Sequence, residues 1–197
     1  MRLLVATHNA GKRREFAALL RPWQGELLFP DMLGLRLEVV EDGTTYAENA
    51  LKKARAYARA ANMLALADDS GLEVDALGGA PGVHSARYVA GSDRARVEAL
   101  LEALSGVPWE RRSARFRCVV AIVSPEGLWE TTEGVCEGAI AFEPAGDGGF
   151  GYDPVFFLPE YGCTMAQLPP ETKNRISHRA RAIQAALPVL ERLACRG

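Results

Sequence analysis

Thr45-Tyr46-Ala47-Glu48-Asn49-Ala50-Leu51-Lys52-Lys53-Ala54-Arg55-Ala56-Tyr57-Ala58-Arg59-Ala60-Ala61 runs, after Asn62-Met63, into Leu64-Ala65-Leu66-Ala67-Asp68-Asp69-Ser70-Gly71. The first part reads as a helix. Thr45 and Glu48 have the S/T-x-x-E spacing of a capping box, in which each satisfies a backbone N–H of the other's end. Ala47, Ala50, Leu51, Ala54, Ala58 and Ala61 recur at helical spacing and form one apolar face, and Lys52, Lys53, Arg55 and Arg59 lie largely off it. The second part, Leu64–Ala67, is a short apolar run of buried-strand type that ends on two adjacent carboxylates. A helix feeding a buried strand is the repeating unit of an α/β fold.

The flanks extend this reading. Leu3–Ala6 is a second buried strand, Thr7–Gly11 a polar loop, and a helix follows from about Lys12 to Leu20, stopped by Pro22. Leu27–Phe29 and Leu37–Val40 are weak strands, and Glu41-Asp42-Gly43 is a turn. On the other side Leu77–Gly91 reads as a loop region. Ser92–Leu104 is a helix capped by Ser92 or Asp93. Arg115–Ser124 and Leu128–Ala141 form a hairpin across Pro125-Glu126-Gly127. Glu143–Asp153 is Gly-rich, Val155–Leu158 is a short strand, and Pro169-Pro170 opens a helical stretch to about Leu193 with a kink expected at Pro188. The expected fold is a mixed α/β domain over residues 1–197. It has a long central twisted sheet and two lobes flanking a substrate cleft, without two independent domains.

Whole-chain properties narrow the function. The 197 residues suit about one large domain. A net charge of −2 argues against binding nucleic acid by bulk electrostatics, yet allows a local basic pocket for a nucleotide. The apolar run at the N-terminus is too short for a signal-peptide core, and no run of about 18 apolar residues is present, so a cytoplasmic protein with no membrane partner is expected. Cys118, Cys136, Cys163 and Cys195 show no C-x-x-C spacing, which argues against zinc and for free thiols. Cys118 and Cys136 lie symmetrically about Gly127, so a cross-strand disulfide is the alternative for that pair.

Five constellations carry chemistry. Thr7-His8-Asn9-Ala10-Gly11-Lys12 links strand, loop and helix. Backbone N–H groups at a helix N-terminus suit phosphate, Lys12 adds a compact cation, and Thr7 and Asn9 can donate. The Walker pattern is absent, and an ordinary βα turn capped by Asn9 is the bland alternative. Asp68-Asp69-Ser70 closes a buried strand, where carboxylates can hold a hard cation and orient water. In a strand, neighbours point to opposite faces, so Asp68 and Asp69 are expected to do different jobs; an Asx turn is the alternative. Glu41 sits in a loop within reach of a metal, while Lys53 reads as a solvated surface lysine before it reads as a phosphate ligand. Gly146-Asp147-Gly148-Gly149-Phe150-Gly151-Tyr152-Asp153 brings backbone close to a ligand and offers Phe150 and Tyr152 as stacking faces, or as plugs of the core. Lys173 and Ser177-His178-Arg179 supply donors, the Arg179 fork suiting a carbonyl oxygen or a phosphate, or else form a charged helix face.

Seven short segments then recur in order: Thr7-x-Asn9-x-Gly11-Lys12-x-x-Glu15, Glu48-Asn49-Ala50-x-x-Lys53-Ala54, Ala67-Asp68-Asp69-Ser70-Gly71-Leu72, Gly78-Gly79-Ala80-Pro81-Gly82, Ser85-Ala86-Arg87-Tyr88, Gly149-Phe150-Gly151-Tyr152-Asp153-Pro154 and Ser177-His178-Arg179. Their order and spacing resemble the inosine triphosphate pyrophosphatase family from Leu3 to near Leu193. The resemblance implies a homodimer that converts non-standard purine nucleoside triphosphates such as ITP, dITP and XTP to the monophosphate and pyrophosphate, with Mg²⁺ as cofactor. By the match, Thr7, His8, Asn9, Ala10, Gly11 and Lys12 hold the triphosphate, and Glu41 and Asp69 are the metal ligands. Asp69 is also the proton acceptor, and Ser70 contacts substrate. Phe150, Gly151, Tyr152, Asp153, Lys173, His178 and Arg179 surround base and sugar. His8 departs from the family, which usually has Ser or Gly there. Whether its imidazole adds a contact or crowds the loop stays open, as does the division of Asp69 between base and metal ligand.

The implied reaction is attack of water on the α-phosphorus with pyrophosphate leaving. Hypoxanthine and xanthine carry a carbonyl at C6 where adenine carries an amino group, so Arg179 opposite C6 is the expected selector. The Gly78–Tyr88 region, with Val83 and Tyr88, is the expected part of the dimer interface. A pyrophosphatase of the Maf family acting on other modified nucleotides, or a non-catalytic nucleotide sensor, are the competing readings.

Overall fold

The structure is a computed structural model that describes residues 1–194. Seven strands form one sheet in the order β2-β1-β3-β4-β5-β6-β7. They are β1 Arg2–Val5, β2 Glu26–Leu28, β3 Ala65–Val74, β4 Ser113–Val123, β5 Trp129–Ile140, β6 Phe156–Leu158 and β7 Cys163–Thr164. The helices are α1 Ala10–Leu19, α2 Tyr46–Ala61, α3 Asp93–Ala103, α4 Pro170–Ile176 and α5 His178–Ala194. β1 pairs in parallel with β2 and β3, whereas β5–β6 and β6–β7 are antiparallel, so the sheet is mixed.

The chain divides into two compact units, the first comprising Met1–Asp69, Cys118–Gly134 and the C-terminal part from His178, the second Ser70–Arg117 and Val135–Ser177. In the first unit the strands obey a period of two. Leu3, Val5, Leu66, Cys118, Val120 and Ile122 pack with Phe16 and Leu20 of α1 and with Ala182, Ile183 and Leu190 of α5. Leu4, Ala65, Ala67, Ala121 and Val123 pack instead with Ala50, Ala54, Tyr57 and Ala58 of α2. The sheet of this unit is therefore buried on both faces, which is why its strands read as apolar runs rather than alternating ones. The second unit buries Leu72, Val74, Val97, Leu100, Leu104, Phe116, Ile140, Tyr152, Val155 and Phe156 in one core.

The α2 capping box forms as its sequence predicts, Thr45 Oγ1 accepting from Glu48 N at 3.2 Å. Four expectations are corrected. β3 does not stop at Asp68 but carries the two aspartates through its middle, which also removes the Asx-turn alternative. The 37–40 stretch is not a strand: Leu37 and Val39 pack partly buried against the α2-side core, and Val40 is exposed. α1 begins two residues earlier than expected, at Ala10, with Asn9 as its cap. The C-terminal stretch is two helices, α4 and α5, separated by Ser177 in an extended conformation. Cys118 and Cys136 are both buried free thiols, Cys118 in the core shared with α1 and α5 and Cys136 in the core of the second unit. Cys163 is also free, and Cys195 lies outside the described residues.

Candidate active site

The alternation along β3 sorts the two aspartates. Asp68 has the parity of Leu66 and meets α1 and α5; Asp69 has the parity of Ala67 and meets α2.

Asp68 is 1% exposed. Its Oδ2 takes Lys12 Nζ at 2.9 Å, Arg179 Nη2 at 3.1 Å and Arg179 Nε at 3.3 Å. Arg179 Nη1 also bonds Glu15, and Cys118 Sγ lies 3.9 Å from the same Asp68 oxygen. Burial alone would raise the Asp68 pKa, but Lys12, Arg179 and Lys53 outweigh it and hold the carboxyl well below the ordinary carboxylate range. The Arg179 guanidinium would be discharged more easily by burial, yet Asp68 and Glu15 reverse the sign and raise its pKa. Burial, helped by Asp68, pushes the Cys118 thiol up, which makes it an unreactive core thiol. Arg179 was expected to face purine C6. In the structure its fork is closed on two carboxylates of its own unit, and its side chain is 2% exposed. Its geometry is that of a residue holding Asp68, and through Asp68 the ammonium of Lys12.

Asp69, 8% exposed, accepts from Asn49 Nδ2 at 3.0 Å, while Asn49 Oδ1 accepts from Gly43 N at 2.7 Å. That second bond needs glycine, since a Cβ on residue 43 would lie 2.6 Å from Asn49 Oδ1. Burial raises the Asp69 pKa; the Asn49 bond, Lys12 and Lys53 work against it, and the Glu41 charge adds to it. Glu41 accepts from Lys53 Nζ at 3.0 and 3.1 Å on its two oxygens. The solvated reading of Lys53 is thereby overturned: its side chain is 15% exposed and anchors Glu41, whereas Lys52 pairs with Asp42 at the surface. Among the described residues no three His, Cys, Asp or Glu side chains converge as a metal cage. Glu41 and Asp69 are two hard oxygen donors within electrostatic reach of each other, a set that suits a cation keeping several waters or phosphate oxygens.

The loop before α1 is built for its cap. Asn9 Oδ1 accepts from Lys12 N at 2.9 Å, and Thr7 Oγ1 accepts from Asn9 N at 3.2 Å. Ala10 and Gly11 are the first two residues of α1, where backbone N–H groups face outward from the helix. His8 contacts Tyr57 of α2, Nε2 to hydroxyl, at 2.8 Å, so its imidazole makes a bond rather than crowding the loop. His178, the first residue of α5, is buried.

In the second unit, Asp153 Oδ2 accepts from Phe150 N at 2.8 Å and from Lys173 Nζ at 2.7 Å. Lys173 Nζ also lies 5.2 Å from the Phe150 ring centroid, a cation–π distance. Gly149 has φ of +73°, and a Cβ there would meet Asp153 Oδ2 at 2.0 Å, so this turn requires glycine twice over. Gly151 N donates to Asp93 Oδ2 at 2.7 Å, a contact invisible in the sequence because Asp93 read only as a helix cap. Tyr152 is 4% exposed, its hydroxyl donates to Ser85 O at 2.9 Å, and burial pushes its pKa up to about 12. Tyr152 is thus packed as a core anchor, and Phe150 is half-buried. Ser70 is half-buried on β3.

The sequence matches the Ham1 family model over residues 3–189. The dITP/XTP pyrophosphatase of Desulforamulus reducens is 52% identical over 195 residues, covering 98% of this chain and 97% of that protein. The dITP/XTP pyrophosphatase of Geobacillus kaustophilus is 53% identical over 188 residues, covering 92% and 90%. Among solved structures, the Ham1 protein of Coxiella burnetii superposes with a TM-score of 0.87 at 39% identity, covering 98% of this chain and 99% of that one.

Proposed function

This chain belongs to the Ham1 family, and from that premise we propose that it hydrolyses dITP, XTP and ITP to the monophosphate and pyrophosphate, removing non-standard purines from the nucleotide pool. The observation that carries the reading is the division of labour on β3. Asp68 holds the cations Lys12 and Arg179, while Asp69 is presented beside Glu41 on the opposite face.

The triphosphate is received by Thr7, the backbone of His8, Asn9, Ala10 and Gly11, and the Lys12 ammonium, which Asp68 holds in place for a phosphate oxygen. Asp69 orients the attacking water and accepts its proton as the oxygen adds to the α-phosphorus and the bond to pyrophosphate breaks. Glu41 and Asp69 are the residues that would hold Mg²⁺, which supplies neutralisation of charge on the phosphate oxygens. Burial and the neighbouring Glu41 keep the Asp69 carboxyl basic for an aspartate, the direction a proton acceptor needs. Ser70 is a further substrate contact. Phe150 supplies the stacking face for the base, with Gly151, Asp153, Lys173 and His178 as polar groups around base and sugar, and Tyr152 fixing the turn from beneath.

The reaction is tested by incubating the protein with ITP, XTP, dITP and ATP. Equal yields of monophosphate and pyrophosphate from the first three are expected, with little from ATP. Diphosphate and orthophosphate would place attack at the γ-phosphorus and refute the reading. Chelator should abolish turnover and added Mg²⁺ restore it; full activity in chelator would remove Glu41 and Asp69 as a metal pair.

The protein is further proposed to work in the cytoplasm as a C₂ homodimer, the commonest closed assembly, with residues 78–88 contributing to the interface. Val83 and Tyr88 there are half-buried in the single chain. Among the described residues no helix is long and apolar enough to cross a membrane. Light scattering at twice the chain mass over a wide concentration range is the expected result, and a monomer mass throughout refutes it.

A further inference from the structure

Asn49, Lys53 and Tyr57 follow one another at intervals of four and so form one row along α2. Each holds a different part of the site. Asn49 ties Asp69 to Gly43, and Lys53 ties Glu41. Tyr57 meets the loop before α1: its hydroxyl lies 2.8 Å from His8 Nε2 and reaches Leu37 O at 3.5 Å. Leu37 belongs to the stretch at 35–43, which has no helix or strand and which carries Glu41. The 2.8 Å pair with His8 is the close bond, and the His8 tautomer sets which partner donates; Leu37 O, at 3.5 Å, is at the outer limit of a hydrogen bond. Tyr57 is 2% exposed, and its ring is packed among the α2-face apolar residues, so the hydroxyl has a fixed position.

We propose that Tyr57 and His8 form a strut that positions the phosphate-binding loop, and that the His8 imidazole acts through Tyr57 and not on the substrate. Tyr57 is the positioning residue; His8 sits in a loop whose backbone is the ligand. A loop held in its binding shape before the triphosphate arrives loses less freedom on binding. The strut therefore acts on ground-state affinity, and its loss should raise KM more than it lowers kcat.

The inference rests on the hydrolase reading for its kinetic arm, so the experiment has a second arm that does not. Tyr57→Phe, His8→Ser and the double variant are compared for ITP hydrolysis, and amide hydrogen exchange of residues 8–12 is measured without nucleotide. One hydrogen bond predicts a rise in KM of about three- to tenfold with kcat within about twofold. That rise should be the same in both single variants and no larger in the double, with faster exchange of the loop in all three. A rise for His8→Ser without one for Tyr57→Phe would mean that the imidazole touches substrate, and would overturn the proposal. Effects that add in the double variant, or unchanged KM in both singles, overturn it equally. Should the parent protein release no pyrophosphate from ITP, the hydrolase reading fails, and the exchange arm alone decides: unchanged loop exchange in Tyr57→Phe overturns the strut.

Discussion

Asp69→Asn should lower kcat for ITP by about 10²- to 10⁴-fold, the usual contribution of a positioned acid or base, while leaving the fold in place. Asparagine keeps the size of the side chain and an oxygen for Asn49 Nδ2, so the 3.0 Å bond across to α2 can persist. What disappears is the charge beside Glu41 and the group able to take a proton. The same substitution should make the metal-free protein more stable at neutral pH. Burial raises the folded-state pKa of Asp69 above its unfolded value, so the native state binds the proton more tightly than the unfolded one. The resulting cost is absent below the ordinary Asp range, grows as pH rises through the raised pKa, and is fully present above it. The Asn variant escapes that cost. Its melting temperature in chelator should exceed the parent's at pH 7, and the difference should vanish as pH falls below the ordinary Asp range. Near-parental turnover, or a lower melting temperature at pH 7 under those conditions, would contradict the role given to this carboxylate.

How far the site was legible in the sequence depended on the range of each interaction. The α2 capping box, the Asn9 cap and the opposite orientations of Asp68 and Asp69 are local, set by the spacing of three or fewer residues, and they stand in the structure as read. The strand through Asp68 and Asp69 was cut short because two adjacent carboxylates look like a strand end. Lys12, Arg179 and Asn49 satisfy them in place, and those partners come from remote parts of the chain. The partners of Lys53 and Arg179 escape a sequence reading for one reason. A helix pattern tells which face a cation leaves from but not whether a carboxylate such as Glu41 or Glu15 waits there. Tyr57 had a readable signal, its place four residues after Lys53 and eight after Asn49, yet a tyrosine on an apolar helix face reads as core until its hydroxyl's partner is seen. Family resemblance gathered the site residues; burial separates Arg179, whose side chain is 2% exposed on two carboxylates, from Lys12, which Asp68 holds with 18% of its side chain exposed.

Arg179→Ala is the variant in which that separation has its largest consequence. An Arg179 that reads O6 of the purine would, when lost, weaken ITP about ten- to a hundredfold more than ATP, the worth of one charge-assisted bond. The structure leads to a different result. Without its guanidinium, Asp68 stays buried beside Lys12 and loses the bonds from Arg179 Nη2 and Nε, and Glu15 loses the bond from Arg179 Nη1. Removing one member of a buried ionic group costs roughly 3–5 kcal/mol, because the charge left behind has no solvent. In a chain of this size that is a fall in melting temperature of about 6–20 °C. ITP and ATP should be weakened by the same factor, because what is disturbed is the anchor of the phosphate lysine and not a contact to the base. Asp68→Asn in the Arg179→Ala background then distinguishes cause from consequence. It removes the stranded charge, so part of the lost stability should return. Turnover should stay low, since Lys12 no longer has the carboxylate that fixes it. Recovery of turnover together with stability would mean that Asp68 and Arg179 serve the fold alone. A loss confined to ITP in the single variant would return Arg179 to the base.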